Sequence, residues 1–350
     1  MSNPYPLSIY EIQAGRLPGW ANEPIMLTIP AGSVTGVLED FPAMVKLSGS
    51  SGKTAADVSK VFTALGSDAN RKRICVTASD GITPLYVEIK EWSTATQTAY
   101  LWVRVPRINP GEDTHLYLYY DPLHAEMTQY VGDTGEAAAW NVWDNGYGFV
   151  GLKPSGGQLL DSTRNANHGT IYGATVTQGP LGKCLSFDGI DDYVEISHSS
   201  ALNLDQLTVD ATYQSVYAGG WFRTLVSKYG HTNVTPSWGL GWVETNVLGF
   251  YIRDAAGVKD QKYYSFGGGL DGEWHCVSGS VSSDTLSFAL DGSRLSITRT
   301  AGDIRNDRPI LVGSHFGEYA PLSAAYIAIS SVARSPAWIA ATNLSLRDEL

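Results

Sequence analysis

From Gly182 to Val312 the chain is a succession of short segments that alternate apolar with polar residues and break at turn residues. "CLSFDG", "DYVEIS", "LTVDATYQS", "FRTLVSKYG", "WGLGWVE", "LGFYIRD", "WHCVSGSVS", "TLSFALDGSRLSITR" and "PILVGSH" all follow this pattern. A period of two sends successive side chains to opposite faces, so each segment predicts a strand with one buried face. "FALDGSRLSI" is the clearest hairpin, because Asp291-Gly292 suits a primed turn. At least nine such strands recur at roughly 8–15-residue spacing, which points to a jelly-roll sandwich. The 37 Gly, 19 Tyr and 10 Trp fit a β-rich chain with many turns and argue against disorder.

The first 122 residues carry a second strand set. "EPIMLTIP" and "FPAMVKLSG" suggest a long-looped hairpin, and "RKRICVTASDGITPLYVEIKEW" holds two strands joined through an Asp-Gly signal. "TAYLWVRVP" and "DTHLYLYYDP" follow. One segment breaks the alternation: Val58, Val61, Phe62 and Leu65 fall at helical spacing, and Gly66 can end that helix. Residues 123–145 turn acidic and small, which marks a linker with a short helix. At the C-terminus, Ser335 and Pro336 predict a cap and first position of a closing helix. The fold expected is all-β: a sandwich over 1–122, a linker over 123–145, and a jelly roll over 146–350.

Charge and spacing exclude several function classes. The net charge is −11 with no basic run, so nothing neutralises phosphates and no nucleic-acid partner is expected. No apolar stretch approaches about 18 residues, so no membrane insertion is expected. "MSNPYPLSIYEIQAGRLPGW" has neither a basic n-region nor an apolar core and does not read as a signal peptide. Cys75, Cys184 and Cys276 lie far apart and predict buried thiols. There is no Gly-x-Ser-x-Gly elbow and no P-loop. The histidines show no metal spacing, and His275 beside Trp274 suits a packed position.

Two clusters remain as candidates. "SFDGIDDYVEI" (186–196) packs four carboxylates into eleven residues. As a hydrolytic pair it is poor: Asp191 and Glu195 share a strand face, but their Cα atoms lie about 13 Å apart. As a calcium site it is better, with Asp188 and Asp191 around Gly189 and Asp161 and Asn165 on the loop "DSTRNANHGT". The competing reading is a set of Asx turns that satisfy their own backbone. The second cluster is "YAGGWFRTLVSKYGHTNVTPSWGLGW", where Tyr229, His231, Trp238 and Trp242 can form a platform for the apolar face of a sugar. Its competing reading is that these aromatics are core.

The blocks "DSTRNANHGT", "GKCLSFDGIDDYVEI", "DGEWHCVSGS", "FALDGSRL" and "SVARSPAWIAA", in that order, resemble the laminin-G-like, concanavalin A-like jelly rolls of bacterial and phage proteins. "FPAMVKLSG", "DANRKRICVTASDGITPLYVEIKEW", "LWVRVPRI", "DTHLYLYYDP" and "AAAWNVWDNGYGFVGL" resemble the domain of unknown function DUF2341. Relatives carry an Asp-Glu pair in the strand before the last helix, where this chain reads "AAYIAISSVA". They also carry a His-Leu-Asn-Glu-like run where it reads "KPSGGQLL". The resemblance implies a protein without catalytic residues that binds cell-surface glycan or virion structural proteins, with calcium as its cofactor. It implies a place on a virion or extracellular surface and leaves homo-oligomerisation open. A bacterial adhesin is the alternative, and a glycan-cleaving enzyme a weaker one.

Overall fold

The computed structural model describes residues 15–216, 223–229, 235–244, 247–265, 271–315 and 317–350. The N-terminal sandwich has two sheets. One orders Ile25–Ile29, Thr114–Tyr120 and Ile74–Thr77; the other orders Leu38–Leu47, Thr98–Ile108, Val87–Ser93 and Val131–Asp133. Ile25–Ile29 and Leu38–Leu47 therefore do not form the expected hairpin. The first pairs with Thr114–Tyr120 and the second with Thr98–Ile108, because the connection crosses from one sheet to the other. The helix expected after residue 57 forms at Lys60–Leu65, buries Val61, Phe62 and Leu65, and ends at Gly66 with φ +69°.

The second unit is a single antiparallel sheet of sixteen strands that folds back on itself as a sandwich. The expected hairpin is present. Strands Thr285–Leu290 and Ser293–Thr298 pair, and both Asp291 (φ +47°) and Gly292 (φ +80°) take the left-handed conformation that a primed turn requires. Strands Gly169–Tyr172 and Lys259–Ser265 were not legible in the alternation. The closing helix Pro336–Leu346 starts where Ser335 accepts a hydrogen bond from the Trp338 amide. All three cysteines are buried and unpaired, and among the described residues no helix is long and apolar enough to cross a membrane.

The segment 123–145 is not a tether. Val131–Asp133 adds a parallel strand beside Val87–Ile89, and residues 137–143 form two short helical turns that bury Val142 and Trp143. One hydrophobic core runs from the N-terminal sandwich through Trp102 and Trp143 to Tyr326 and Trp338 of the second unit. Trp102 stacks on Tyr326 with ring centroids 5.5 Å apart, and Phe41 meets Trp338 edge-on at 5.0 Å.

Polar groups complete this junction. Alternation puts Glu88 and Lys90 on the polar face of strand Val87–Ser93, yet both are fully buried because that face carries the second unit. Glu88 accepts from Thr134 Oγ1 (2.5 Å), Trp143 Nε1 (2.5 Å) and Ser162 Oγ (2.7 Å), and burial pushes its pKa up. Lys90 donates to the carbonyls of Leu181 and Lys183, and desolvation pulls it down to about 8.

Candidate functional site

"SFDGIDDYVEI" is first a turn. Gly189 holds φ +80°, and a Cβ there would fall 2.7 Å from the ring of Pro321. Asp188 Oδ1 accepts from the Ile190 amide (2.8 Å), and Asp192 Oδ2 accepts from the Asp188 amide (2.9 Å). The turn then feeds strand Tyr193–Ile196, whose Val194 and Ile196 are fully buried.

Its carboxylates also converge. Asp188, Asp191 and Asp192 can each present an oxygen such that all lie within 4.8 Å of one another, Asp188 and Asp191 exposed and Asp192 buried. Burial first, and then the charges of Asp188 and Asp191, hold the Asp192 carboxyl above its ordinary range. Like charges this close favour a bound cation or a shared proton.

The expected partners on the other loop are not part of this group. Asp161 is fully buried, and its oxygens accept from the amides of Val150 (3.0 Å), Thr163 (2.9 Å) and Asn167 (2.8 Å) and from Thr163 Oγ1 (2.9 Å). Asn165 Nδ2 donates to the carbonyl of Gly148 (3.1 Å) and to Thr163 Oγ1 (3.1 Å). Both residues fold their own loop, as the Asx-turn reading has it. The third carboxylate of the converging group is Asp192, not Asp161.

The aromatic strand turns inward. Trp238 and Trp242 do share one face of Ser237–Glu244, but that face is the core, where they are 1% and 2% exposed. Neither indole is exposed enough to serve as a sugar platform. Tyr229 is partly exposed and lies 4.2 Å from the ring of buried His315. His231 lies outside the described residues.

An aromatic surface that sequence reasoning missed lies beside the acidic turn. Register pairs Tyr172 with Tyr193 across adjacent strands, and their rings stack at 4.6 Å and 14°. Tyr319 continues the row at 6.1 Å from Tyr193. Tyr172 is 42% exposed, while Tyr193 and Tyr319 are partly so. The row and the turn are contiguous: a Cβ on Gly173, the neighbour of Tyr172, would fall 1.9 Å from Asp192 Oδ1. Alternation in "DDYVEIS" puts Tyr193 on a polar face, but neither strand Gly169–Tyr172 nor its pairing with Tyr193–Ile196 was legible in the sequence.

His275 opens strand Trp274–Val281 and is clamped by Asp291 Oδ2 at Nδ1 (2.6 Å) and Asp271 Oδ1 at Nε2 (2.9 Å). The bond to Asp291 is the main cause that raises its pKa from 6.5 to about 9. The folded state thus holds this proton more tightly. The clamp's stabilisation is complete below about pH 6.5 and is lost as pH rises through about 9. Urea midpoints of wild type and His275→Gln should converge between pH 7 and 10; a gap that stays constant counts against the clamp.

Residues 70–140 match the model of a domain of unknown function, DUF2341, and residues 188–340 match that of the concanavalin A-like lectin/glucanases superfamily. No curated protein matches the chain. Among solved structures, the binding domain of Paraclostridial Mosquitocidal Protein 1 aligns at TM-score 0.49 and 13% identity over 57% of this chain and 52% of that one. The receptor binding domain of botulinum neurotoxin D aligns at 0.45 and 12%, over 57% and 52%. Domain 4 of AbnA, a GH43 extracellular arabinanase from Geobacillus stearothermophilus solved with arabinotriose, aligns at 0.42 and 15%, over 52% and 91%. The chain spans about half the length of the two toxin domains. By these matches residues 70–140 belong to DUF2341, and residues 188–340 form a laminin-G-like domain of the concanavalin A-like lectin/glucanases superfamily.

Proposed function

We propose that this is a non-enzymatic surface or virion protein whose lectin-like domain binds glycan on the tyrosine row Tyr172–Tyr193–Tyr319. The observation that carries the reading is an exposed, parallel tyrosine stack directly beside a convergent carboxylate group on a jelly-roll rim. Stacked phenol rings offer a flat apolar face to a sugar's C–H groups, and their hydroxyls reach its polar edge. Asp188, Asp191 and Asp192 would hold a calcium ion, which supplies Lewis acidity toward sugar hydroxyls and screens the three charges. The carboxylates sit on one turn and point at one place. Hydrolysis needs them across a bond from each other. The N-terminal unit then serves as the attachment module on a phage particle or cell surface, and the rigid junction presents the lectin-like domain at a set angle.

The test is a glycan array on the purified chain, with calcium and again with chelator, repeated for Tyr172→Ala and Tyr193→Ala. Binding at least tenfold weaker in both variants is expected, as is loss of binding in chelator. Binding that survives chelator but not the tyrosine changes removes calcium and keeps the row. A blank array for wild type in both conditions ends the lectin reading and leaves a structural particle protein, which mass spectrometry of purified particles would detect.

A further inference from the structure

A cavity of about 300 Å³ opens between the join and the lectin-like sandwich, away from the tyrosine row. Its floor is Trp143 and Tyr147, both buried, their rings edge-to-face at 5.3 Å. Trp140, partly exposed at the end of helix Ala137–Trp140, lines it as well. Asp144, Arg164 and Asn165 supply its polar lining. Arg164 Nη2 donates to Asp144 Oδ2 (3.0 Å) and Asn141 Oδ1 (3.2 Å), so the two opposite charges cancel and the site has no net charge to offer an ion. Asn165 commits its N–H groups to the Gly148 carbonyl and Thr163 Oγ1, and its carboxamide oxygen remains an acceptor.

Three features together define a ligand class. An aromatic side chain of intermediate exposure, a neutral set of donors and acceptors, and a volume at the low end of about 300–1,000 Å³ for small-ligand sites suit a small polyhydroxylated ring. The site is also held rigid from below. The Trp143 indole N–H is bonded to buried Glu88 of the N-terminal sandwich, so docking of the two units fixes the floor. Preorganisation of this kind lowers the entropic cost of binding.

We propose that this cavity is a second saccharide subsite, taking one or two rings of a neutral sugar against Trp140, with hydroxyls on Asp144, Arg164 and Asn165. It takes its ligand class from the reading above but none of its residues, so either can fail alone. Together the two sites make the chain bivalent for a branched or repeating glycan, and avidity then follows without any new contact.

The experiment is saturation-transfer NMR and titration calorimetry on the full chain with cellobiose, lactose, maltose and N,N′-diacetylchitobiose, and with digalacturonate as an anionic control. At least one neutral disaccharide should still bind the double variant Tyr172→Ala/Tyr193→Ala, at one site per chain. In that background it should bind Trp140→Ala and Ala201→Phe at least tenfold more weakly. Ala201→Phe fills the cavity without removing a polar group, so it keeps the test valid if Trp140→Ala fails to fold. Unchanged binding in both cavity variants overturns the proposal, as does the absence of binding by all four sugars at millimolar concentration. Loss of all disaccharide binding in the tyrosine double variant also overturns it, and tighter binding of digalacturonate overturns the neutral class.

Discussion

Glu88→Ala will destabilise the whole chain by about 3 kcal/mol, more than any other single polar truncation at the junction. The carboxylate is fully buried and accepts three hydrogen bonds, from Thr134, Ser162 and the Trp143 indole. Without it, the two hydroxyls can rotate toward other acceptors. The indole N–H cannot, and it stays buried without a partner at a cost of about 1–3 kcal/mol. Glu88→Gln preserves the shape and one acceptor, so its cost should be about half as large. Because Thr134 and Trp143 belong to the join and Ser162 to the second unit, the loss falls on docking. Urea unfolding of the variant should show two transitions where wild type shows one, with proteolysis between residues 134 and 145. A midpoint shift worth less than about 0.5 kcal/mol would show that solvent replaces the carboxylate and that the junction does not depend on it.

Trp238→Ala should cost about 4 kcal/mol, and Trp242→Ala a similar amount. Both indoles lie in the core of the sandwich, and Trp242 meets Tyr213 edge-to-face at 5.6 Å. Deleting either leaves a cavity that the surrounding strands fill only in part. Thermal or urea unfolding of the single variants measures this directly. The result separates two readings of the same residues. A core role predicts a large stability loss and, where the variant still folds, intact glycan binding. A platform role predicts native stability and no binding.

These aromatics also show where legibility stops. Spacing in "SWGLGWVE" puts Trp238 and Trp242 on one face of a strand whatever the fold, because the pleat has a period of two. It does not say whether that face is turned to the core or to solvent. The tyrosines show the converse: alternation puts Tyr193 on a polar face, but its partner Tyr172 lies twenty-one positions away on a strand the alternation does not mark. Only the strand register makes them a stacked pair. The acidic turn was half legible. Asp188 and Asp191 do meet, through the bend at Gly189, but Asp192 joins them in place of Asp161. Asp161 is used up by amides of its own loop and of Val150, the local Asx-turn alternative, and residue types alone do not choose between that and a metal.

Local physics alone was enough for most strands of the jelly roll, though not Gly169–Tyr172 or Lys259–Ser265, and for the Asp291-Gly292 turn, the Gly66 stop and the Ser335 cap. Each depends on pleat period, left-handed backbone or an orphan amide within a few residues. Sheet membership in the N-terminal sandwich, the inward turn of the tryptophans and the burial of Glu88 and Lys90 had to wait for tertiary structure. A strand's polar face is solvated only if nothing docks on it. At this junction a second unit does, and it turns an ordinary alternating strand into the seam of the molecule.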